Sequence, residues 1–272
     1  MLRLNLLGEI VFVGLGLYDE LGISLRGLEE LKNADAAFIE LYTSFMPEFS
    51  IRRFEELCGK RIRKISRKEL EEESGKIVIE AAKRGKAVLL VPGDPLIATT
   101  HIALRIYAEK LGVKTRVVHG SSIISAVMGL CGLHNYKFGK SVTIPFQNEN
   151  PSETPYEVIA KNKENGLHTL CLLDIKAEEK RCMKIREGLE MLLKIEEERK
   201  KNVATMETIA VGVARAGSSN PTVKASFIRE LLNYDFGEPP YSLVFLARLH
   251  FMEAEALLTL AEAPEKVREM IV

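Results

Sequence analysis

The sequence A-V-L-L-V-P-G-D-P-L-I-A-T-T-H, residues 87–101, decides the fold class of this chain. Its first five residues form an unbroken apolar run, which is typical of a strand buried on both faces inside a parallel sheet. Residues 92–95 end the strand abruptly, because proline cannot donate to a sheet ladder and glycine allows a sharp turn. Thr99 and Thr100 are suitable N-caps for a helix that follows. The stretch therefore predicts a strand, a rigid turn carrying Asp94, and the start of a helix.

Asp94 lies within this turn, immediately after the predicted strand. In open α/β sheets, ligands bind just outside the carboxyl ends of the strands, so Asp94 is a candidate ligand-binding residue. Aspartate also stabilises its own turns by accepting hydrogen bonds from nearby backbone N–H groups. Local chemistry leaves both roles open.

The first half of the chain repeats the strand-then-helix pattern. Apolar runs predict strands at residues 10–13, 36–39, 62–65, 87–91 and 115–119. Helices are predicted at residues 24–31, 51–58, 66–84, 101–111 and 122–130. Ser66, with Glu69 three residues later, forms a capping box for the third of these helices. Strands that alternate with helices in this way indicate a parallel, doubly wound sheet.

The pattern changes in the second half of the chain. Strands are predicted at residues 141–146, 169–173, 209–214 and 242–247. Between them we predict a polar loop at 147–155, a helix ending near 165, a long amphipathic helix within 176–202 and a helix at 225–232. Hairpin-like connections indicate a mixed sheet. We therefore predict an N-terminal α/β domain at residues 1–139 and a C-terminal α/β domain at residues 140–272.

Charge and cysteine content narrow the function classes. The 38 Lys and Arg residues balance the 38 Asp and Glu residues, so no net field attracts the chain to nucleic acid or to an anionic membrane. No apolar run has the length needed to span a bilayer. The four cysteines lack paired spacing and the five histidines lack H-E-x-x-H-type spacing. We expect a cytoplasmic protein with no metal, no nucleic-acid partner and no membrane association.

Other strand ends offer further binding candidates. Residues 14–16 (Gly-Leu-Gly) follow the first strand, but Asp19 stands where a dinucleotide fingerprint needs its third glycine, so a nicotinamide cofactor is disfavoured. Residues 119–123 open a helix whose free N–H groups suit an acceptor, although an ordinary capped helix explains them equally well. Residues 214–218 and 238–241 make similar turns in the second domain. A cleft between the domains would gather these loops, and such interfaces favour small-molecule sites.

Several segments, taken together, resemble one known family. They are F-V-G-L-G-L-Y-D-E (12–20), E-L-Y-T-S (40–44), P-G-D-P-L-I-A-T-T-H (92–101), G-L-H-N-Y-K-F-G-K (132–140), G-L-H-T-L-C-L-L-D-I-K (166–176) and A-R-A-G-S (214–218). On these segments the chain resembles the diphthine synthase family, part of the tetrapyrrole-methylase-like class of S-adenosylmethionine (SAM)-dependent methyltransferases. G-D-P followed by T-T-H is shared in part with the wider class, whereas Y-K-F-G and H-T-L-C-L-L-D-I-K are much more specific to this family.

The resemblance implies a two-domain fold that holds SAM, folded up, in the cleft between the domains. Carried over position by position, the SAM contacts of the family fall on Leu17, Asp94, Ile97, Ser122, Ile123, Leu173, Ala216 and Tyr241. Family members often have histidine at the position of Tyr241, so this position departs from the pattern while keeping a ring with a polar tip. Several of these positions also follow from the strand-end chemistry.

The resemblance further implies a reaction and its partners. The reaction is successive methylation of the amino group of a modified histidine in translation elongation factor 2, a step of diphthamide biosynthesis. Archaeal-type enzymes transfer three methyl groups and form a trimethylammonium group, whereas eukaryotic relatives add a fourth methyl as an ester. This chain lacks the eukaryotic-type insertion after residue 176, which favours the archaeal-type reaction. The resemblance also implies a homodimer.

The sequence contains no G-x-S-x-G elbow or P-loop, and we assign no catalytic residue from it. Methyl transfer from a sulfonium is an in-line displacement, which needs aligned reactants more than a covalent catalyst. The incoming amine must shed protons, and Tyr42, Asp94 and solvent are open candidates for accepting them. We expect the rim near Tyr42 and Lys137 to face the elongation factor, because aromatic and basic side chains suit an interface.

Two other functions stay open at this point. A tetrapyrrole (precorrin-type) C-methyltransferase belongs to the same class, although the Y-K-F-G and D-I-K segments argue against it. A non-catalytic SAM-binding module would bind SAM and a protein partner without transferring a methyl group.

Overall fold

The computed structural model describes residues 8–146, 152–179 and 181–272, and these fall into two compact units. The first unit ends at Ile123 and also takes in Ala177–Glu179, and the second comprises Ile124–Lys176 and the remainder of the chain to Val272. The predicted domain boundary at residues 139 and 140 stays a prediction.

The first unit is built on a parallel sheet with helices between its strands. The strands are β1 (Glu9–Gly14), β2 (Ala36–Ile39), β3 (Arg63–Lys64), β4 (Lys86–Val91) and β5 (Lys114–Val118). The helices are α1 (Leu25–Lys32), α2 (Ile51–Cys58), α3 (Lys76–Ala82) and α4 (Ile102–Lys110). The strand order is β3-β2-β4-β1-β5, with every pairing parallel. The predicted parallel sheet is therefore confirmed.

The central strands β1 and β4 are buried on both faces, as their unbroken apolar runs predict. Residues 10–13 and 87–91 are 0% exposed. Alternate side chains face opposite sides of the sheet, so Phe12 and Leu89 pack into one apolar cluster while Val13 and Leu90 pack into another. Because β1 and β4 are packed on both faces, their ends are held in place, and so are the turns that follow them.

The second unit contains a mixed sheet, as predicted. Its strands are β6 (Val142–Ile144), β7 (Thr169–Leu173), β8 (Ile175–Lys176), β9 (Arg181–Cys182), β10 (Ile209–Ala214), β11 (Thr222–Phe227) and β12 (Tyr241–Phe245). Its helices are α5 (Ile123–Cys131), which starts at the end of the first unit, α6 (Thr154–Glu164), α7 (Ile185–Arg199), α8 (Ile228–Leu231) and α9 (Phe251–Leu260). The main sheet has the order β11-β10-β12-β7-β6; β6 and β7 are parallel and the other neighbours are antiparallel. Strands β8 and β9 form a separate hairpin.

Two helix predictions in the first unit are wrong in detail. The Ser66–Glu69 capping box forms, but the helix predicted at 66–84 is broken by Ser74 and Gly75, which have φ of 55° and 62°, so α3 starts only at Lys76. The predicted threonine caps of α4 also fail, because the Thr99 hydroxyl donates to the Pro95 carbonyl and the Thr100 hydroxyl donates to Glu71.

Two predictions in the second unit need correction. The long helix predicted within 176–202 is limited to α7, because the preceding segment forms the β8–β9 hairpin. The helix predicted at 225–232 starts too early, because residues 225–227 end strand β11, which pairs with β10, and only α8 is helical. Part of the loop predicted at 147–155 lies outside the described residues.

Candidate functional site

The carboxyl ends of β4, β1 and β5 meet through three glycines. Gly14 ends β1, while Gly93 and Gly120 lie just beyond β4 and β5. A Cβ atom built on Gly14 would lie 2.5 Å from both the Gly93 carbonyl oxygen and the Gly120 nitrogen. The backbones of the three turns therefore approach one another more closely than any side chain would allow.

Hydrogen bonds extend this contact between the first two turns. The Leu15 N–H donates to the Val91 carbonyl at 2.8 Å. Gly16 and Gly93 then exchange backbone hydrogen bonds of 2.6 and 3.3 Å, which adds an isolated bridge beyond the ends of the strands. The turns after β1 and β4 are thus fixed to each other rather than free to move separately.

Asp94 is held rigidly in the turn after β4. Its side chain is 6% exposed, and its Oδ1 accepts a hydrogen bond from the Leu96 N–H at 3.1 Å. This contact confirms that Asp94 stabilises its own turn. Its Oδ2 lies 2.7 Å from Nδ1 of His119, the residue that follows β5. The His119 side chain is 75% exposed, so the pair joins a buried carboxylate to an imidazole that reaches solvent.

A second carboxylate–histidine pair lies at the end of β2. Glu40 is 0% exposed, and its Oε2 accepts the backbone N–H groups of Tyr42 and Thr43 at 3.0 and 3.1 Å. Its Oε1 accepts the Thr43 hydroxyl and lies 3.1 Å from Nε2 of His101, which is itself 2% exposed. This buried hydrogen-bond network fixes the conformation of the backbone that follows β2.

The docking rim near Tyr42 and Lys137 stays a prediction, but the Tyr42 side chain itself is not exposed. Tyr42 is 7% exposed, and burial together with the nearby charge of Glu40 raises the pKa of its phenol far above the usual range. Only the ionised phenolate accepts a proton readily, so a tyrosine that stays neutral is poorly suited to deprotonate the substrate amine. Lys137 is 19% exposed at its side chain, and its amine donates to Glu253 and to the Arg248 carbonyl, both at 2.7 Å.

Five of the eight predicted SAM contacts lie in the first unit. Leu17 and Ile97 follow β1 and β4, and Ser122 and Ile123 precede and begin α5, so with Asp94 they gather at the carboxyl end of the parallel sheet. Ile97 is 41% exposed, and a Cβ built on Gly93 would lie 3.9 Å from Cδ2 of Leu17. This edge therefore offers apolar side chains beside a turn that carries no side chain at Gly93.

The other three predicted contacts lie in the second unit. Leu173 ends β7, Ala216 follows β10 and Tyr241 begins β12. Strands β10 and β12 pair directly, with Ala214 opposite Tyr241, so the last two positions lie near the same end of the mixed sheet. Burial raises the pKa of the Tyr241 phenol, with a further contribution from Glu238.

The sequence interpretation missed three histidine–carboxylate pairs: His119 with Asp94, His101 with Glu40, and His168 with Glu253. Each histidine was treated as one of five scattered histidines, because His119 pairs with a residue 25 positions away and His101 with one 61 positions away. The position of His119 could have indicated a role in the site, since it directly follows β5, a strand that neighbours β1.

Among the described residues, no three His, Cys, Asp or Glu side chains are grouped to hold a metal ion. Within the same ranges, no helix combines the length and the apolar character that crossing a bilayer requires.

Comparison with known proteins gives consistent results. Residues 9–232 match the model of the Tetrapyrrole (Corrin/Porphyrin) Methylases family. The chain is 45% identical to the diphthine synthase of Methanosarcina mazei over 96% of this chain and 99% of that protein. It is 47% identical to the diphthine synthase of Methanocella arvoryzae over 93% of this chain and 98% of that protein. A crystal structure of diphthine synthase superposes with a TM-score of 0.89 at 43% identity, covering 97% of this chain and 100% of the other.

Proposed function

This chain belongs to the diphthine synthase family of the tetrapyrrole methylases, and from that premise we propose that it transfers three methyl groups to the amino group of a modified histidine in translation elongation factor 2. Membership makes the chain a SAM-dependent methyltransferase of diphthamide biosynthesis. The observation that carries the proposal is the agreement along nearly the whole length of both chains. A homodimer and a cytoplasmic location are part of the same proposal.

The residues at the carboxyl end of the parallel sheet fit SAM. Gly93 has a φ of 70°, and the position that a Cβ would take lies 3.9 Å from Leu17 Cδ2 and from the Ser121 carbonyl oxygen, so glycine keeps this turn free of a side chain. Leu17 and the exposed Ile97 offer apolar surface for a nucleoside, and Asp94 supplies a negative charge near a cationic molecule. When bound, SAM supplies an electrophilic methyl group on a positively charged sulfur.

We propose that the first unit contacts SAM through Leu17, Asp94, Ile97, Ser122 and Ile123. The resemblance assigns Leu173, Ala216 and Tyr241 of the second unit to the same ligand. The task of these residues is alignment, because a displacement reaction gains most from reactants held at the correct distance and angle. Orientation of this kind contributes on the order of 7–11 kcal/mol in favourable cases.

The test is mass spectrometry of elongation factor 2 that carries the unmethylated histidine intermediate, after incubation with this protein and SAM. We expect a gain of three methyl masses, and loss of that gain in Asp94→Ala. Asp35→Ala is the matched control: Asp35 accepts the Lys86 N–H at 2.7 Å, at the opposite end of β4 from Asp94, so it removes one comparable hydrogen bond away from the site.

The other outcomes separate the alternatives. A fourth methyl mass would indicate the eukaryotic-type reaction. Methylation of a precorrin, with the elongation factor unchanged, would assign the chain to the tetrapyrrole C-methyltransferases. Binding of SAM without transfer to either substrate would indicate a non-catalytic SAM-binding module.

A further inference from the structure

We propose that His119 is the group that accepts the proton from the substrate amine, and that Asp94 holds its imidazole in the required tautomer. This inference rests on the proposed function, because an amine must lose a proton before it can attack a methyl group. It adds a catalytic residue to a reaction for which the sequence motifs supply none.

The hydrogen bonds define the tautomer of His119. Asp94 is buried, and one carboxylate oxygen is already fixed by the Leu96 N–H at 3.1 Å. Its other oxygen lies 2.7 Å from Nδ1 of His119. A carboxylate only accepts hydrogen bonds, so Nδ1 carries the hydrogen, and in the neutral imidazole Nε2, on the opposite side of the ring, has the lone pair. The same arrangement orients the histidine base of serine hydrolases.

The fold holds this pair in place from both sides. Asp94 follows β4 and His119 follows β5, the two neighbours of β1 in the sheet. Gly120, next to His119, packs against the backbone of Gly14 and Gly93. These glycine turns carry no charge, and Asp94 is a charged group in direct contact with the imidazole. A base must be held within hydrogen-bond reach of its proton, and this rigid support provides that precision.

The exposure of His119 suits a base that works repeatedly. Its side chain is 75% exposed, so a proton taken up at Nε2 can pass directly to solvent. Two other carboxylate–histidine pairs lack this property: Glu40 and His101 are 0% and 2% exposed, and Glu253 and His168 are both 0% exposed. Tyr42 is unsuitable as well, because burial raises the pKa of its phenol.

The proton and electron balance is simple. The substrate ammonium gives one proton to Nε2 of His119 and becomes an amine with a free lone pair. That lone pair forms a new nitrogen–carbon bond to the methyl group while the carbon–sulfur bond breaks, and the bonding electrons remain on sulfur as a neutral thioether. The imidazolium releases its proton to solvent. Three such cycles convert a primary ammonium into a trimethylammonium and release three protons.

The first experiment compares His119→Gln and His119→Ala with the parent protein at saturating SAM and elongation factor. We expect kcat to fall by a factor of about 10² to 10⁴, the usual contribution of general base catalysis. The SAM dissociation constant, measured by calorimetry, should change by less than about threefold, because Asp94 and its turn remain. Added imidazole should restore part of the rate of His119→Ala, since the site is open to solvent. His134→Gln, a partly exposed histidine that packs on Tyr136, should leave kcat unchanged.

A second readout does not depend on activity. Nitrogen NMR of the histidines should show neutral His119 protonated at Nδ1, and this preference should weaken in Asp94→Asn. An unchanged kcat in both His119 variants, or a loss that appears in SAM binding alone, would overturn the inference. If the parent protein itself transfers no methyl group to the elongation factor, the proposed function fails instead, whatever the NMR result.

Discussion

The backbone N–H of Arg215 donates a hydrogen bond to the carbonyl of Pro240 at 2.9 Å. The guanidinium of Arg215 also donates to the carbonyls of Phe236 and Glu238 at 2.8 and 3.0 Å. Arg215 has a φ of 53°, a left-handed conformation that a non-glycine residue adopts only when its surroundings enforce it. One residue therefore fastens the turn after β10 to the loop before β12.

This contact predicts the effect of Arg215→Ala on SAM binding. Ala216 and Tyr241, two of the proposed SAM contacts, lie next to Arg215 and Pro240. Loss of the guanidinium leaves two loop carbonyls without their donor, so the loop should occupy several conformations. We expect the SAM dissociation constant to rise about tenfold, which corresponds to about 1.4 kcal/mol. Calorimetric titration with SAM measures this change.

Arg229→Ala is the matched control for that experiment. Arg229 forms ion pairs with Glu207 and Glu230 and has 41% of its side chain exposed, so its loss should leave SAM affinity unchanged. Equal affinities of Arg215→Ala and the parent protein would contradict the assigned role of the loop.

Gly14→Ala should disrupt the junction of the three turns. The added methyl group would lie 2.5 Å from Gly93 and Gly120 backbone atoms, which cannot move aside as a flexible side chain could. The turns after β4 and β5 would be pushed apart, and with them Asp94 and His119. We expect methyl transfer to fall at least about tenfold and the protein to lose on the order of 1–3 kcal/mol of stability. Single-turnover transfer and urea unfolding measure these two effects.

Gly129→Ala provides the comparison for this substitution. Gly129 lies within α5, and a Cβ built there has no atom within 4 Å. Alanine favours the helix, so this variant should gain about 0.5–1 kcal/mol of stability and keep its activity. Full activity in Gly14→Ala would show that the glycine junction is not needed to place the site.

Local sequence was sufficient for the parallel sheet but insufficient for the paired residues. Strands β1 and β4 are buried on both faces, so their apolar runs identify them without reference to the rest of the chain. The sequence pattern does not identify strand β11, and the helix prediction covers its last three residues, because these residues gain their conformation from pairing with β10. Asp94 was found from its position after a strand. Its contact with His119 depends on β4 and β5 both neighbouring β1, which no local pattern specifies.

Glu253→Gln should destabilise the second unit strongly. Glu253 is 0% exposed, and it accepts hydrogen bonds from Lys137 at 2.7 Å, from His168 at 3.3 Å, and from the backbone N–H groups of His134 and His250. Burial acts to raise the pKa of this carboxyl, but these donors outweigh it and hold the pKa well below the usual range. An amide cannot accept all four donors, and it leaves Lys137 without its carboxylate partner, with only the Arg248 carbonyl as acceptor among the contacts described.

We expect Glu253→Gln to cost about 3 kcal/mol of unfolding free energy at neutral pH, as measured by urea denaturation. Glu255→Gln, an exposed position two residues away, should cost less than about 0.5 kcal/mol. Similar stabilities of the two variants would show that the buried network contributes little.

Glu30 predicts how stability changes in acid. Hydrogen bonds from Arg116, at 2.8 Å, and from Lys86, at 3.1 Å, outweigh the effect of burial and lower the pKa of Glu30 to about 2 from 4.5. A carboxyl whose pKa is depressed on folding stabilises the protein above its unfolded pKa. That contribution is lost as the pH falls from about 4.5 towards 2. Glu30→Gln should therefore be less stable than the parent protein at pH 7, by about 2 kcal/mol, and the difference should shrink through this window.

Urea unfolding at a series of pH values measures that difference directly. Glu29→Gln is the control, because Glu29 is 61% exposed and pairs with the exposed Arg26 on the same helix. Its stability should follow the parent protein within about 0.5 kcal/mol at every pH. A difference between Glu30→Gln and the parent protein that stays constant between pH 5 and pH 3 would mean that ionisation of Glu30 does not supply the stabilisation. The contacts of Glu30 with Arg116 and Lys86 would then act through packing alone.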